Sequence, residues 1–156
     1  MRIVPVEKED LAMVKELLTK AGLPLAGVEE NFANFLKLMV DGELAAVAGL
    51  EIHGRAGLLR SVAVAPAYRN SGLGQGITRA MINRARELGL QELYLLTQTA
   101  ADFFPRFGFK RIDRSAVDPA VQQSVEFKSA CPVSAVCMRL KLGTGKGMPG
   151  SATAGV

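Results

Sequence analysis

Apolar and polar residues alternate along this chain in two different periods, and the switches between them lay out its elements. Ile3, Val4 and Val6 open it as a short strand over residues 1–6. From Glu7 to Lys20 the period lengthens: Leu11, Val14, Leu17 and Leu18 fall on one side of an amphipathic helix, and Gly22 follows its end. Gly22-Leu23-Pro24 breaks the chain, and residues 28–36 are expected to form a second, short helix. Three strands follow at 37–40, 44–52 and 56–64, joined by turns at Asp41-Gly42 and His53-Gly54-Arg55. An Asp-Gly pair between two apolar runs is a strong hairpin signal. Leu73, Ile77, Ala80, Met81, Ala85 and Leu88 then restore the helical period, so a long helix starts near Gly72 and stops at Gly89. Beyond it the pattern predicts a strand at 92–97, a short helix at 100–106, a strand over 108–112, a helical turn at 118–123 and a closing strand at 133–142. The order β, α, α, βββ, α, β, α, ββ gives an α/β fold with a sheet of mixed direction. Residues 143–156, rich in Gly, Ser, Thr and Ala, cannot bury a core face and are expected to form a flexible tail beside one domain at 1–142.

Composition narrows the setting. The 156 residues are 49% hydrophobic and 22% charged, which suits one soluble domain with a sizeable core. No apolar run approaches the roughly 20 residues of a membrane span, and Arg2 with Glu7, Lys8, Glu9 and Asp10 is unlike a signal peptide, so a cytoplasmic protein without membrane partners is expected. The net charge of +4 is mild and spread out. A nucleic-acid binder gathers its cations on one face, often among aromatics, whereas Arg79, Arg84 and Arg86 read as the solvated side of the central helix. Cys131 and Cys137 are the only cysteines and His53 the only histidine, too few ligands for a zinc site. No metal is expected. The two cysteines read as buried free thiols, and His53 as a turn residue.

The densest chemical signal is Val62-Ala63-Val64-Ala65-Pro66-Ala67-Tyr68-Arg69-Asn70-Ser71-Gly72-Leu73-Gly74-Gln75-Gly76. It runs from a buried strand through a turn into a helix that begins on glycines. Such a helix offers unpaired backbone N–H groups at its positive end, with no side chain to obstruct a phosphate. No lysine and hydroxyl pair closes this loop as a P-loop requires, and the glycine spacing and mid-chain position do not fit a dinucleotide fingerprint. The order strand, Val-x-Pro, Tyr-Arg-x-x-Gly-x-Gly, helix resembles the acyl-CoA pyrophosphate loop of the GNAT acetyltransferases, whose pattern is Arg/Gln-x-x-Gly-x-Gly/Ala.

A second segment, Leu95 to Phe109, resembles the second motif of that family, commonly Asn-x-x-Ala followed by Leu-Tyr-x-x-x-Gly-Phe. Gly108 and Phe109 match its end, Thr97 stands where asparagine is frequent, and Phe104 stands where tyrosine is usual. A tyrosine hydroxyl can protonate the departing CoA sulfur, and a phenylalanine cannot. Phe104 is therefore assigned a packing role against CoA. Leu-Leu-Arg-Ser-Val at 58–62, Leu-Thr-x-Thr-Ala at 96–100 and Phe-x-x-x-Cys-Pro-x-Ser-Ala-x-x-Met at 127–138 are similar to GNAT proteins associated with arsenic resistance. More distantly they are similar to the acetyltransferase domain of N-acetylglutamate synthases.

The resemblance implies a mixed, mostly antiparallel sheet with helices on both faces and a splayed central pair of parallel strands. It implies acetyl-CoA as co-substrate, with backbone groups of Val62, Ala63 and Val64 along its pantetheine arm. The amides of Asn70, Ser71, Gly72, Leu73, Gly74 and Gln75 would meet its pyrophosphate, and Thr97 and Phe104 would flank it. A backbone N–H of the strand would polarise the thioester carbonyl. The acceptor implied is the amine of a small acidic amino acid or analogue, including an arsenic-containing one. Its carboxylate calls for a cation, for which Arg60, beside Ser61, is the first choice and Lys128 with Ser129 the second. Glu51, Glu126 and His53 are equal candidates for the base, so no catalytic residue is assigned. A non-catalytic acyl-CoA sensor and a protein N-acetyltransferase fit the same motifs, and a homodimer is common among such proteins.

Overall fold

The computed structural model describes residues 1–143 of the chain, the side chains of Ser129 and Ala130 excepted. Nine regular elements run as β1 (Arg2–Pro5), α1 (Leu11–Lys20), β2 (Leu36–Val40), β3 (Glu43–His53), β4 (Ala56–Val64), α2 (Leu73–Glu87), β5 (Glu92–Thr97), β6 (Lys110–Arg111) and β7 (Val136–Lys141). The strands form one seven-stranded sheet in the order β1-β2-β3-β4-β5-β7-β6. Every adjacent pair is antiparallel except β4 with β5.

Strand alternation in the sheet decides which helix covers which face. Ala46, Ala48 and Leu50 of β3 join Ile77, Met81, Ile82 and Ala85 of α2, while Val47 between them joins Val14, Leu17 and Leu18 of α1. Helices therefore lie on both faces. Each fully buried Leu, Ile or Met of this kind stabilises the fold by about 1.5–3 kcal/mol. A third cluster, with Leu58, Tyr94, Val117, Val121 and Cys137, is roofed by the irregular chain between β6 and β7. No helix among the described residues is long and apolar enough to cross a membrane.

The hairpins and both long helices fall where the pattern predicts, but other elements differ. The helix expected at 28–36 is a run of turns ending in a single 3-10 turn at Phe32–Asn34, and Leu36 already belongs to β2. Gly27 takes a left-handed conformation (φ 85°), and the Asn31 side chain donates to its carbonyl at 2.8 Å. That local bond competes with helix formation, and Phe35 is drawn into the core against Gly49. The helix expected at 100–106 shrinks to a 3-10 turn at Phe104–Phe107, because Pro105 removes a backbone donor and Gly108 turns left-handed (φ 99°). The strand expected at 108–112 is only Lys110–Arg111. The closing strand begins at Val136 rather than 133, since Ala135 N–H turns back to the Pro132 carbonyl at 3.0 Å. Beyond Gly143 the expected tail lies outside the described residues.

Candidate active site

The site begins with a break in the sheet. Opposite β3, Val47 pairs with Ala63 and Gly49 with Arg60, so two steps along β3 face three along β4. The extra residue makes a bulge, and Ser61 carries it in a left-handed conformation (φ 58°) that a side chain rarely adopts. On its other side β4 pairs with β5 only from Ala56 to Leu58, against Glu92 to Tyr94. Past Leu58 the two strands diverge, although β4 stays paired with β3 and β5 stays paired with β7 as far as Thr97. Backbone groups on the facing edges are thereby left for a ligand or water to satisfy.

A cavity of about 470 Å³ fills the divergence. Leu59 to Val64 form one wall and Leu95 to Ala100 the other, with Phe104, the Ala21–Pro24 loop, Arg69, Glu126 and Cys131 completing it. Val62 and Val64 lean on the α2 core, whereas Ala63 leans on the α1 core. Thr97 Oγ1 accepts the Ala100 N–H at 2.9 Å, which fixes the turn beyond β5. Phe104 is buried, edge-on to Phe103 and Phe109 at 5.0 and 5.8 Å between centroids.

Where β4 leaves the sheet, the chain turns over Pro66–Tyr68 and enters α2 at Gly72 (φ 83°), with no side chain capping the helix. The first intrahelical bond from this cap joins Gly76 N–H to the Gly72 carbonyl at 3.1 Å. Helix geometry therefore leaves the N–H groups of Leu73, Gly74 and Gln75 without intrahelical acceptors. A Cβ at Gly72 or Gly76 would meet nothing within 4 Å, so the space before these donors is open. Asn70 is also left-handed (φ 63°), the Ser71 hydroxyl donates to the Tyr68 carbonyl, and Arg69 Nε donates to the Val64 carbonyl at 3.2 Å. A donor-rich helix end beside an open strand edge fits a pyrophosphate attached to an amide-bearing arm.

At the acid side of the cavity sits a buried charge cluster. Arg60, expected to hold a substrate carboxylate, has no exposed side-chain surface and is already engaged. Its Nη1 donates to Glu51 Oε2 at 2.7 Å, its Nη2 to the Ala26 carbonyl at 2.7 Å, and its Nε to Ser61 Oγ at 3.0 Å. Glu126 Oε2 lies 3.3 Å from the same Nε. The two carboxylates differ in character. Burial works to raise the Glu51 pKa, but hydrogen bonds from His53, Arg60 and Ser124 outweigh it and hold the group below the ordinary carboxylate range. Burial pushes Glu126 up, the nearby Glu51 charge adds to the rise, and Arg60 offsets only part of it. Of the three candidate bases, Glu126 faces the cavity, Glu51 lies behind Arg60, and His53 stands at the far end, its Nε2 at 2.8 Å from Glu51 Oε1. Lys128 is exposed and not part of the cavity wall, and the Ser129 side chain is outside the described part.

Cys131, expected to be buried like Cys137, is only half-buried. Cys131 lines the cavity, and its backbone N–H donates to the Glu126 carbonyl at 3.1 Å. Burial and the neighbouring Glu126 charge push the thiol pKa up to about 11. Among the described residues, no group of three or more His, Cys, Asp or Glu is placed to hold a metal.

Comparison with known proteins agrees with this geometry. The model of the Acetyltransferase (GNAT) family matches residues 9–109. An amino-acid acetyltransferase of Mannheimia succiniciproducens is 33% identical over 85 residues, 53% of this chain and 19% of that protein. The chain thus spans about a fifth of that curated relative. Among solved structures, the N-acetylglutamate synthase of Neisseria gonorrhoeae complexed with coenzyme A and N-acetyl-glutamate superposes with a TM-score of 0.78 at 20% identity, covering 90% of this chain and 35% of that one. Rv2747 of Mycobacterium tuberculosis, solved in complex with CoA, gives 0.76 at 21% identity over 91% of this chain and 99% of that one.

Proposed function

This chain belongs to the GNAT acetyltransferase family, and from that premise we propose that it transfers the acetyl group of acetyl-CoA to the amine of a small amino acid. The observation that carries the reading is the open edge of β4, bulged at Ser61, running into the uncapped start of α2 with the Glu126 carboxylate in the same cavity. When bound, acetyl-CoA supplies an activated acyl group on a good leaving thiol. The chain's own residues do the rest. The amides of Asn70 to Gln75 hold the pyrophosphate, Val62, Ala63 and Val64 pair with the pantetheine arm, and Thr97 and Phe104 pack beside it. A backbone N–H at the Ser61 bulge stabilises the oxyanion that develops as the amine attacks. Glu126, its pKa raised by burial, is matched to take a proton from an amine near neutral pH.

The acceptor in this reading is an acidic amino acid or analogue, an arsenic-containing one included. Its support is the motif likeness at 58–62, 96–100 and 127–138, a curated relative described as an amino-acid acetyltransferase, and a fold neighbour solved with N-acetyl-glutamate. Arg60 serves this reading as a positioning residue. Its Nε contact with Glu126, at 3.3 Å, is longer than its Nη1 contact with Glu51, at 2.7 Å. With no exposed side-chain surface, and with its Nε already donating to Ser61 Oγ at 3.0 Å, Arg60 orients these carboxylates from behind the cavity wall rather than meeting the acceptor. The free thiols of Cys131 and Cys137 suit the reducing cytoplasm.

The test is acetyl-CoA-dependent release of free thiol against acidic, neutral and basic amino acids, together with phosphinic and arsenic-containing analogues of glutamate. Turnover confined to the acidic set is the expected result. Turnover only with peptide N-termini would replace it with a protein acceptor, and binding of acetyl-CoA without any turnover would replace it with a non-catalytic sensor.

A further inference from the structure

Glu126 can take a proton only while it is ionised, and it shares one buried cation with Glu51. Arg60 places Nη1 at 2.7 Å from Glu51 Oε2 and Nε at 3.3 Å from Glu126 Oε2. With both carboxylates ionised, this trio carries one negative charge in excess. Among the described residues, the only further Lys, Arg or His within 4 Å of either carboxylate is His53, whose Nε2 lies 2.8 Å from Glu51 Oε1. Glu51 and His53 project from the same face of β3, and Arg60 stands on β4 opposite Gly49. The four side chains thus form a line from the β3–β4 turn, where the His53 side chain is 22% exposed, to the cavity wall at Glu126.

Arg60 is clamped within that line. Its Nη2 donates to the Ala26 carbonyl at 2.7 Å, and a Cβ at Gly27 would stand 2.6 Å from Nη1. A change at His53 therefore reaches Glu126 as charge rather than as motion, and buried charges are little screened by salt. The other groups around the line are neutral or turned to other partners. The covering segment brings Val117 and Val121 against Ala56 and Leu58, and its Ser124 hydroxyl accepts the Glu126 N–H at 3.2 Å. Arg114 donates to the Phe127 and Pro132 carbonyls, the Cys131 thiol stays neutral with a pKa of about 11, and Arg55 in the turn is exposed.

We propose that His53 is a positioning residue for the cavity base: a proton on its ring offsets the Glu51 charge and, across the fixed Arg60, stabilises the ionised form of Glu126. For its effect on catalysis the inference rests on the acetyl-transfer reading above. With His53 protonated the four groups sum to zero while Glu126 is ionised. With His53 neutral the excess negative charge remains and Glu126 holds its proton more tightly, the direction in which the Glu51 charge already acts. The coupling is reciprocal, so acid that loads His53 keeps Glu126 able to accept a proton from the amine.

The test compares His53→Gln and His53→Lys with the wild-type chain. Glutamine can donate to Glu51 without charge, and lysine stays charged across the assay range. Two readouts are taken: the acid limb of kcat/KM with one amine acceptor throughout, and an NMR titration of the Glu126 carboxyl, identified by its loss in Glu126→Gln. Both should lie about 0.5–1 pH unit higher in His53→Gln than in His53→Lys, with wild type inside that interval. Coincident titrations in all three chains would overturn the inference. So would a lowered plateau with an unmoved limb, which would mark His53 as a structural residue of the turn. The carboxyl titration needs no turnover. A chain that binds acetyl-CoA yet acetylates no amine would overturn the acetyl-transfer reading, while the titration would still decide whether His53 and Glu126 are coupled.

Discussion

Three side chains, Glu51, Arg60 and Glu126, form the buried charge cluster at the cavity, and the two carboxylates should respond to neutralisation in opposite senses. Glu51 has its folded pKa lowered, so its charge adds stability above the ordinary carboxylate range, and that contribution is lost as pH falls through it. Glu126 has its folded pKa raised, so its contribution is present in acid and is lost as pH rises. Glu51→Gln should therefore melt well below wild type at pH 7, with the gap closing only as pH falls below the ordinary carboxylate range, because Arg60 loses its nearer buried partner at a cost of about 3 kcal/mol. Glu126→Gln should melt at or above wild type at pH 7 while losing about 100-fold or more in kcat/KM. Thermal melts across pH, run beside thiol-release assays, read both. A Glu126→Gln chain that is less stable at neutral pH and fully active would show Glu126 to be a structural partner of Arg60 and remove it as the base.

In the proposed reading the bulge of β4 aims the backbone edge that the divergence from β5 leaves open, and the sequence carried no pattern for it. Ser61 sits in an unbroken run from Leu58 to Val64 that reads as ordinary strand, and a left-handed serine has no periodicity to betray it. Ser61→Gly should keep the bulge, since glycine adopts φ 58° freely. Ser61→Val should resist it, costing about 1–3 kcal/mol and raising the acetyl-CoA KM as the backbone edge shifts. Equal KM values for the two variants would mean the bulge does not aim the ligand-facing backbone. Elements with strong period and clear stops were legible: α2 from its apolar stripe and flanking glycines, and β2–β3–β4 from their turns. The segment at 28–36 was misread because Phe32, Phe35 and Leu36 fall at near-helical spacing, while the Gly27 turn and the pull of the sheet on Phe35 decide the outcome. The glycine loop was legible as chemistry because its residues are adjacent. The acid cluster was not, because Glu51, Arg60, Glu126 and Cys131 come from three separate stretches that only the fold brings together.

On the scale of the whole molecule the sheet is two halves joined by a short seam. One half is β1 to β4 and the other β5, β7 and β6, and the parallel ladder between them is confined to Ala56–Leu58 against Glu92–Tyr94. Both helices pack mainly on the first half, and α2 alone reaches Leu93 and Leu95 of the second through the shared core. A ligand lying along the divergence would bridge the halves where the sheet does not, so its binding energy should appear as added stability at the seam. At 100 times its Kd, acetyl-CoA should add about 2.7 kcal/mol to the chain's stability. Hydrogen exchange should slow most at the cavity-facing amides of β4 beyond Leu58, at the start of α2 and at the end of β5, and little in β1 and β2. Slowing spread evenly over all seven strands would instead mean that the sheet opens as one unit and that the seam is no weaker than the rest. Protection confined to α2, with β4 unchanged, would place the nucleotide end of the ligand as proposed but leave its acyl arm outside the divergence, where neither the Ser61 bulge nor Glu126 could act on it.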